Sequence, residues 1–372
     1  MTAELPVWVE VDLGSVRRNV ERVRSMLSPG TRLLAVVKAN AYGHGDVPVA
    51  RAAVAGGADW LGVARPNEGA ALRAAGIDVP ILLLAEPTPR AVHQVPELGL
   101  VPTVYTIRTA RALSDSAITS GRRLAVHVKV DTGMHRYGVP LPEVAGFFDQ
   151  VTKLPGLEVQ GIWSHFACAE DVLNPYTKEQ HERFLDVLDE LGPRANGLMR
   201  HLANSAGAIT FPEAHLDMVR CGIVVYGIHP SPALRDRIDL EPALSFKSRV
   251  GYARRLPAGE ALSYGQRFQL PRTATVATIP CGYADGLPRA LTNTGEVLIR
   301  GRRFRISGAV TMDHFLVDAG DREIEEGDEV VILGRQGGEE ILADEIAQRL
   351  GTIPYEVVCA ISARVPRVYR GA

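Results

Sequence analysis

A TIM-like (β/α)8 barrel followed by a mostly β C-terminal domain, an α/β protein as a whole, is the fold class this sequence predicts, on three observations. At 372 residues the chain is longer than one ordinary domain, which favours two, each with its own core. Over the first two thirds, eight short apolar runs alternate with amphipathic stretches, the sequence sign of repeated β-α units. After about residue 236 that alternation gives way to strand-like runs in close succession. The domains expected are 9–235 for the barrel and 236–372 for the β domain, with residues 1–8 as candidates to join the latter.

Asp12 can cap a first helix, because Val16, Val20, Val23 and Leu27 fall on one face after it. The strands expected next are 33–37, 61–64, 81–84, 101–105, 125–130, 159–165, 200–203 and 219–226, each a run of apolar and β-branched residues. A helix opens at Asn174-Pro175, a capping residue followed by a first-turn proline, and closes at Gly192. Eight such units over this length suit a closed barrel better than an open sheet. The proline-rich segment His229-Pro-Ser-Pro-Ala233 stands near the boundary. Beyond it, strands are expected over 249–256, 273–279, 296–308, 310–317 and 329–333, and only Ala343–Gly351 reads clearly as a helix.

Composition excludes several classes of function. Hydrophobic residues at 46% and charged ones at 23% are ordinary for a packed globular protein and exclude disorder and coiled coils. A net charge of −2 without blocks of like charge leaves no electrostatic footprint for nucleic acid or an anionic membrane. Apolar runs such as Ile81-Leu-Leu-Leu-Ala85 are too short to span a bilayer, and the opening Met1-Thr-Ala-Glu-Leu-Pro6 lacks a leader pattern. Cys168, Cys221, Cys281 and Cys359 lie far apart with no CxxC pair, so neither a disulfide scaffold nor a zinc site is expected. A cytoplasmic protein acting on a small molecule, without a metal, is the expectation.

Lys38 closes the run Leu33-Leu-Ala-Val-Val-Lys38 and precedes the turn-rich Ala39-Asn-Ala-Tyr-Gly-His-Gly45. Catalytic groups of barrels sit at C-terminal strand ends, where a desolvated lysine can form a Schiff base; the alternative is an ammonium that simply reaches solvent. In Ala125-Val-His-Val-Lys-Val-Asp131 the three valines share one face and leave His127, Lys129 and Asp131 on the other. An internal Lys129–Asp131 ion network and a functional role for Lys129 both fit that pattern. Arg136 stands in the following loop, well placed to clamp a carboxylate. His165 ends the next expected strand; it is either a satisfied structural histidine or part of a site. Ser205, Gly222 and Ile223 follow or lie in the last two expected strands, where this fold commonly binds phosphate, although such residues also make ordinary turns.

Taken together, these segments resemble alanine racemase over essentially the whole chain. Ala35-Val-Val-Lys-Ala-Asn-Ala-Tyr-Gly-His-Gly45 is similar to that family's signature for the lysine that binds pyridoxal 5'-phosphate (PLP). In order after it come Asp131-Thr-Gly-Met-His-Arg136, Ser164-His-Phe-Ala167, Ala203-Asn-Ser-Ala206, Val219-Arg-Cys-Gly222, Ser263-Tyr-Gly265, Gly282-Tyr-Ala-Asp-Gly286, Met312-Asp313 and Tyr355-Glu356. The resemblance implies that Lys38 carries PLP in Schiff-base linkage and serves the D side of the substrate, while Tyr264 of the partner chain serves the L side, so that a homodimer shares its active sites. It further implies that Tyr42, Ser205, Tyr355 and the Gly222–Ile223 backbone hold the phosphate. By the same resemblance Arg136 and the Met312 backbone fix the substrate carboxylate, and Tyr283 lines the entrance. Lys129 matches a lysine that is often carbamylated.

The activity so implied is interconversion of L- and D-alanine, supplying D-alanine for peptidoglycan. Inversion requires proton removal on one face and delivery on the other, hence two bases. A tyrosine side chain in water titrates near 10, so one serving as a base at neutral pH needs a cation at hand. The resemblance lets Arg220 give that help through His165, and also places Arg220 at the pyridine nitrogen, where a fixed cation weakens the electron sink and favours reprotonation at Cα. The chain departs from common family residues at Glu170, Leu287, Ala309 and Thr311, all in or near the entrance layer. That leaves a serine or broad-specificity racemase on the same scaffold as the alternative.

Overall fold

The computed structural model describes residues 5–371. Met1–Glu4, the start of the opening segment weighed above as a leader and as part of 1–8, lie outside the described residues, as does Ala372. The chain divides into two compact units. One comprises Val16–Ala41 and Asp46–Glu241; the other gathers the described residues up to Ser15, Tyr42–Gly45, and the chain from Pro242 on.

The first unit is a nearly closed barrel of eight parallel strands with helices between them. Its strands are Arg32–Val36, Trp60–Val63, Ile81–Leu83, Val101–Val104, Leu124–Asp131, Leu157–Trp163, Met199–His201 and Met218–Cys221, each hydrogen-bonded to the next, and the last ladders with the first. The seventh and eighth are joined by isolated backbone bonds, Asp217 N to Arg200 O and Arg220 N to Ala203 O, both 3.0 Å. Val126, Val128 and Val130 are fully buried, as the alternation in that strand requires. Gly161 in the sixth strand leaves room for a side chain from the fifth: a Cβ there would stand 2.7 Å from the His127 ring. The long helix spans Tyr176–Leu191; Asn174 Oδ1 accepts from Tyr176 N at 3.1 Å, and Gly192 ends it at φ 53°.

All the barrel strands but the fifth end earlier than the sequence suggested, most by one or two residues and the eighth by the most. The eighth stops at Cys221, because Gly222 (φ −110°, ψ −87°) turns the chain into a 3-10 helix, Ile223–Tyr226. Gly222 N donates to Ser205 Oγ at 2.8 Å and so leaves the sheet. The sixth stops at Trp163, leaving His165 in the loop beyond it.

In the second unit, the main sheet runs Arg302–Arg305, Glu296–Ile299, Glu329–Gln336, Leu244–Arg249, Val7–Asp12, Arg367–Arg370. Tyr252–Leu256, Ala274–Ile279 and Phe315–Gly320 form a second sheet, and Ala261–Leu262 pairs with Phe268–Gln269 in a short hairpin. The expected strand 249–256 is therefore divided: Arg249 ends a strand of the main sheet, and Tyr252–Leu256 belongs to the second. The run 296–308 folds as a hairpin that turns at Arg300 and Gly301, both at positive φ (50° and 71°), the backbone twist that two-residue hairpin loops favour. The run 310–317 is strand only from Phe315, and a second helix, Pro354–Cys359, follows Ala343–Leu350. Among the described residues no helix is long and apolar enough to cross a membrane.

Candidate active site

Lys38 stands two residues beyond the first barrel strand, half-buried. The four residues after it, Ala39 to Tyr42, all take left-handed backbone with φ between 50° and 54°. Such a run of non-glycine residues costs roughly 1–2 kcal/mol each, so it must be held from outside. Glu68 does much of that: its carboxylate accepts from Ala39 N at 2.8 Å and from Ala64 N at 2.7 Å. Asn40 Oδ1 accepts from Asp46 N at 3.1 Å.

Arg220 lies buried in the last barrel strand at the centre of a hydrogen-bonded network. Its Nη2 donates to Ser164 O at 2.7 Å and Leu202 O at 3.0 Å and meets His165 Nδ1 at 3.2 Å. Its Nη1 donates to His201 Nδ1 at 2.9 Å, and His201 Nε2 meets His127 Nδ1 at 2.8 Å. A guanidinium can only donate, so His201 carries its proton on Nε2 and passes it toward His127, whose own proton must sit on Nε2. Burial, with Arg220 beside them, drives His127 down to about 3 and His201 and His165 well below their ordinary value. All three rings are neutral at physiological pH. Burial also lowers Arg220, to about 9, which still leaves it charged.

Lys129 is buried on the same inner face, its Nζ 4.6 Å from the centre of the Trp163 ring, which Arg220 also approaches at 4.4 Å. The Lys129–Asp131 ion pair weighed from the sequence is not formed. Asp131 spends its carboxylate on its own turn, accepting from Gly133 N and His135 N at 3.0 Å and pairing with His135 Nδ1 at 3.1 Å. Burial first, and then the cations Arg136, Arg220 and Lys38, lower Lys129 to about 7. The barrel thus brings Lys38, Lys129, Arg136 and Arg220 into one cationic field. Arg136 itself is exposed at the loop tip, and among the described residues no carboxylate stands at ion-pair distance from it.

In the second unit, Tyr42 packs beside Tyr355, ring centres 6.1 Å apart. Burial raises the Tyr42 phenol, with Tyr355 and Cys359 adding to the shift, so it stays a protonated donor. Tyr264 is 77% exposed at the tip of the hairpin Ala261–Leu262/Phe268–Gln269. The hairpin's base is anchored by Leu262, Leu270, Ala274 and Val276. Ser263, just before Tyr264, takes φ 62°, ψ −175°, a region almost reserved for glycine, and its Oγ donates to Ala309 O at 2.8 Å. Tyr283 and Met312 are brought together by backbone bonds: Tyr283 N to Thr311 O and Ala284 N to Met312 O, both 3.0 Å. Only glycine permits that approach, since a Cβ on Gly282 would lie 2.2 Å from Met312 O.

Comparisons with known proteins show the family. The family models described as "Alanine racemase, N-terminal domain" and "Alanine racemase, C-terminal domain" match residues 11–230 and 243–369. This chain belongs to the alanine racemase family. The alanine racemase of Symbiobacterium thermophilum is 48% identical over 368 residues, covering 98% of this chain and 97% of that one. That of Halothermothrix orenii is 43% identical over 98% of this chain and 97% of its own. Among solved structures, alanine racemase from the D-cycloserine producing Streptomyces lavendulae superposes with a TM-score of 0.93 at 39% identity, over 99% of this chain and 97% of that one. The Bacillus anthracis alanine racemase with bound L-Ala-P gives 0.91 at 37% identity, over 99% and 96%.

Within the alanine racemase frame, sequence reading passed over three groups that arrange the site. His201 sits at a barrel strand end in a run already noted for Asn204 and Ser205, and its position there was the available signal. Glu68 has none, because its role depends on a turn conformation that no local pattern announces. Arg364 ties two quoted motifs together, donating to Asp285 Oδ1 at 2.7 Å and Asp313 Oδ1 at 2.8 Å. Asp285 in turn accepts from Gly282 N at 2.8 Å. Among the described residues no group of three or more His, Cys, Asp or Glu is arranged to hold a metal ion.

Proposed function

We propose that this chain is a cytoplasmic PLP-dependent racemase that interconverts L- and D-alanine by proton transfer at Cα and supplies D-alanine for peptidoglycan. The observation that carries the reading is the buried Arg220 guanidinium, bonded to neutral His165 and His201 and to carbonyls, with no carboxylate among its partners. A cation that does not yield its proton leaves a facing pyridine nitrogen unprotonated, which restrains electron withdrawal and favours return of the proton to Cα over loss of the amino group.

The donor set fits the cofactor: an amine at Lys38, a protonated phenol at Tyr42 with the Tyr355 hydroxyl, the Ser205 hydroxyl with the Gly222 and Ile223 backbone, and a cation rather than an anion at Arg220. PLP, when bound, spreads the electron pair left at Cα as the proton departs. Lys38 takes or returns that proton on one face and the Tyr264 oxygen on the other, with Tyr264 supplied by the partner chain of a homodimer. His165 conveys the Arg220 charge to Tyr264. Arg136 and the Met312 N–H orient the substrate carboxylate, and Tyr283 narrows the approach. Lys129, half neutral near pH 7, adds CO2 and loses a proton to become a carbamate anion that steadies Arg136. The deciding experiment incubates the purified protein with L-alanine and analyses the product on a chiral column. D-alanine in equal amount at equilibrium supports the reading, and unchanged L-alanine overturns it. L-serine and larger amino acids in the same assay separate alanine specificity from breadth.

A further inference from the structure

The helix Tyr176–Leu191 presents Tyr176, Gln180 and Arg183 at spacings of four and three, which puts them on one face. That face meets the loop carrying Arg136. Tyr176 OH donates to Gly133 O at 3.0 Å, and Arg183 Nη1 donates to Thr132 O at 3.1 Å. Between them Gln180, fully buried, makes three bonds. Its Oε1 accepts from Ala167 N at 2.8 Å, and its Nε2 donates to His165 O at 3.1 Å and to Thr132 Oγ1 at 3.3 Å. Thr132 Oγ1 in turn meets Ser164 Oγ at 2.8 Å.

The orientation of this carboxamide is settled by its partners. A backbone N–H can only donate and a carbonyl oxygen can only accept, so Oε1 must face Ala167 and Nε2 must face His165. No other side chain of this length supplies an acceptor and two donors from one rigid plane. Its bonds reach the carbonyl of His165, the amide of Ala167 two residues on, and Thr132, the residue that opens the Arg136 loop. Those two segments carry the group that bonds Arg220 and the group assigned to the substrate carboxylate.

We propose that Gln180 is a positioning residue, fixing the separation between the loop of Arg136 and the segment that carries His165. The inference rests on the reading of function above only for its kinetic consequence; the clamp itself is a property of the barrel. Because it holds a carboxylate-binding group and a proton-relay group together, its loss acts on KM and kcat at once. A displacement of about 1 Å in such groups costs roughly a hundredfold in rate.

The test compares the wild-type protein with Gln180→Met, which keeps the length and removes the bonds, and with Thr132→Val and Thr132→Ser, which remove and keep the hydroxyl. Hydrogen–deuterium exchange read by mass spectrometry should quicken in segments 131–138 and 164–168 of Gln180→Met while other barrel segments hold their rates. With L-alanine, Gln180→Met should raise KM and lower kcat, each by roughly tenfold, well below its melting temperature. Thr132→Val should move in the same direction and Thr132→Ser should return close to wild type. Unchanged exchange in both segments, or a lowered melting temperature with KM and kcat intact, overturns the proposal. Should Gln180→Met fail to fold, the Thr132 pair decides by the same readouts, and equal behaviour of Val and Ser overturns it. A wild-type protein that does not racemise alanine sinks the functional reading alone, since exchange still decides the clamp.

Discussion

Lys129 offers the sharpest prediction, because the fold sets a price on its charge that chemistry can remove. An ordinary lysine near 10.4 is neutral at pH 7 in only about one molecule in 2,500. Burial and three neighbouring cations bring Lys129 to about 7, where half is neutral, so the reactive amine is enriched about a thousandfold. The sign of the linkage follows. The amine's folded value lies below its unfolded one, so an unmodified protein gains stability as pH rises from 7 toward 10, and holds the full penalty below 7. Over that window the change is on the order of a few kcal/mol. A carbamate escapes the penalty, since it places an anion among Arg136, Arg220 and Lys38. The assay is urea unfolding at pH 7, 8 and 9, in CO2-free buffer and with 13C-bicarbonate, joined to 13C NMR of the native protein. Bicarbonate should raise the unfolding midpoint at pH 7 and produce a carbamate resonance, both absent from Lys129→Ala. That variant should lose activity, and short carboxylic acids should restore part of it by supplying an anion near Arg136. A wild-type protein with no carbamate resonance and an unfolding midpoint indifferent to bicarbonate would refute the reasoning.

Three further outcomes are expected. Lys38→Ala should be colourless and inactive, and borohydride reduction of the wild-type protein should leave the cofactor on the tryptic peptide that contains Lys38; a label on another lysine contradicts the assignment. Lys38→Ala and Tyr264→Phe chains, each inactive, should regain roughly a quarter of wild-type activity when co-refolded in equal amounts, because half the dimers are mixed and each mixed dimer has one intact site; no recovery, with mixed dimers confirmed by mass, excludes sites shared between chains. Ser263→Gly accepts the backbone at φ 62° and loses only the bond to Ala309, whereas Ser263→Val adds a β-branch to a pose that rejects it; kcat should fall at least tenfold further in Val than in Gly, and equal values contradict a positioning role for that turn.

The sequence showed the barrel because its signals are local. Most strands fall in short runs rich in apolar residues, and the valines at 126, 128 and 130 mark one face by alternation. What it did not show depends on partners distant in the chain. Cys221 ends its strand because Gly222 finds Ser205, and nothing in Val219–Tyr226 itself forbids the strand from running on to Tyr226. The 249–256 run has no proline or other clear break, yet Gly251 N bonds to Thr278 O at 2.9 Å and the chain passes to another sheet. At the site the same division holds. Lys38, Arg136, Arg220 and Tyr264 belong to short motifs and could be named. Glu68, His201, Gln180 and Arg364 act by bonding across the fold, and residue type alone gives each of them a more ordinary explanation.

The two proposed bases share a feature that follows from their task. Backbone that L-residues avoid stands immediately beside each: Ala39 to Tyr42 after Lys38, and Ser263 before Tyr264. A lysine at the end of a barrel strand would ordinarily continue outward with its chain. The left-handed residues instead turn the chain sharply straight after Lys38, with Ala41 N bonded back to Val37 O at 3.0 Å. A hairpin tip would ordinarily be the most mobile part of its unit, and Tyr264 is highly exposed. The Ser263 bond to Ala309 and the buried Leu262 beneath it oppose that mobility. Proton transfer tolerates little error in donor position, and each device acts on the backbone that carries a base. The strained residues are therefore expected to resist substitution by β-branched side chains more strongly than their exposure suggests. Ala39 is the clearest case, since it is exposed and buries nothing: Ala39→Val should cost activity, while Ala39→Gly, which relaxes the turn, should not lower stability.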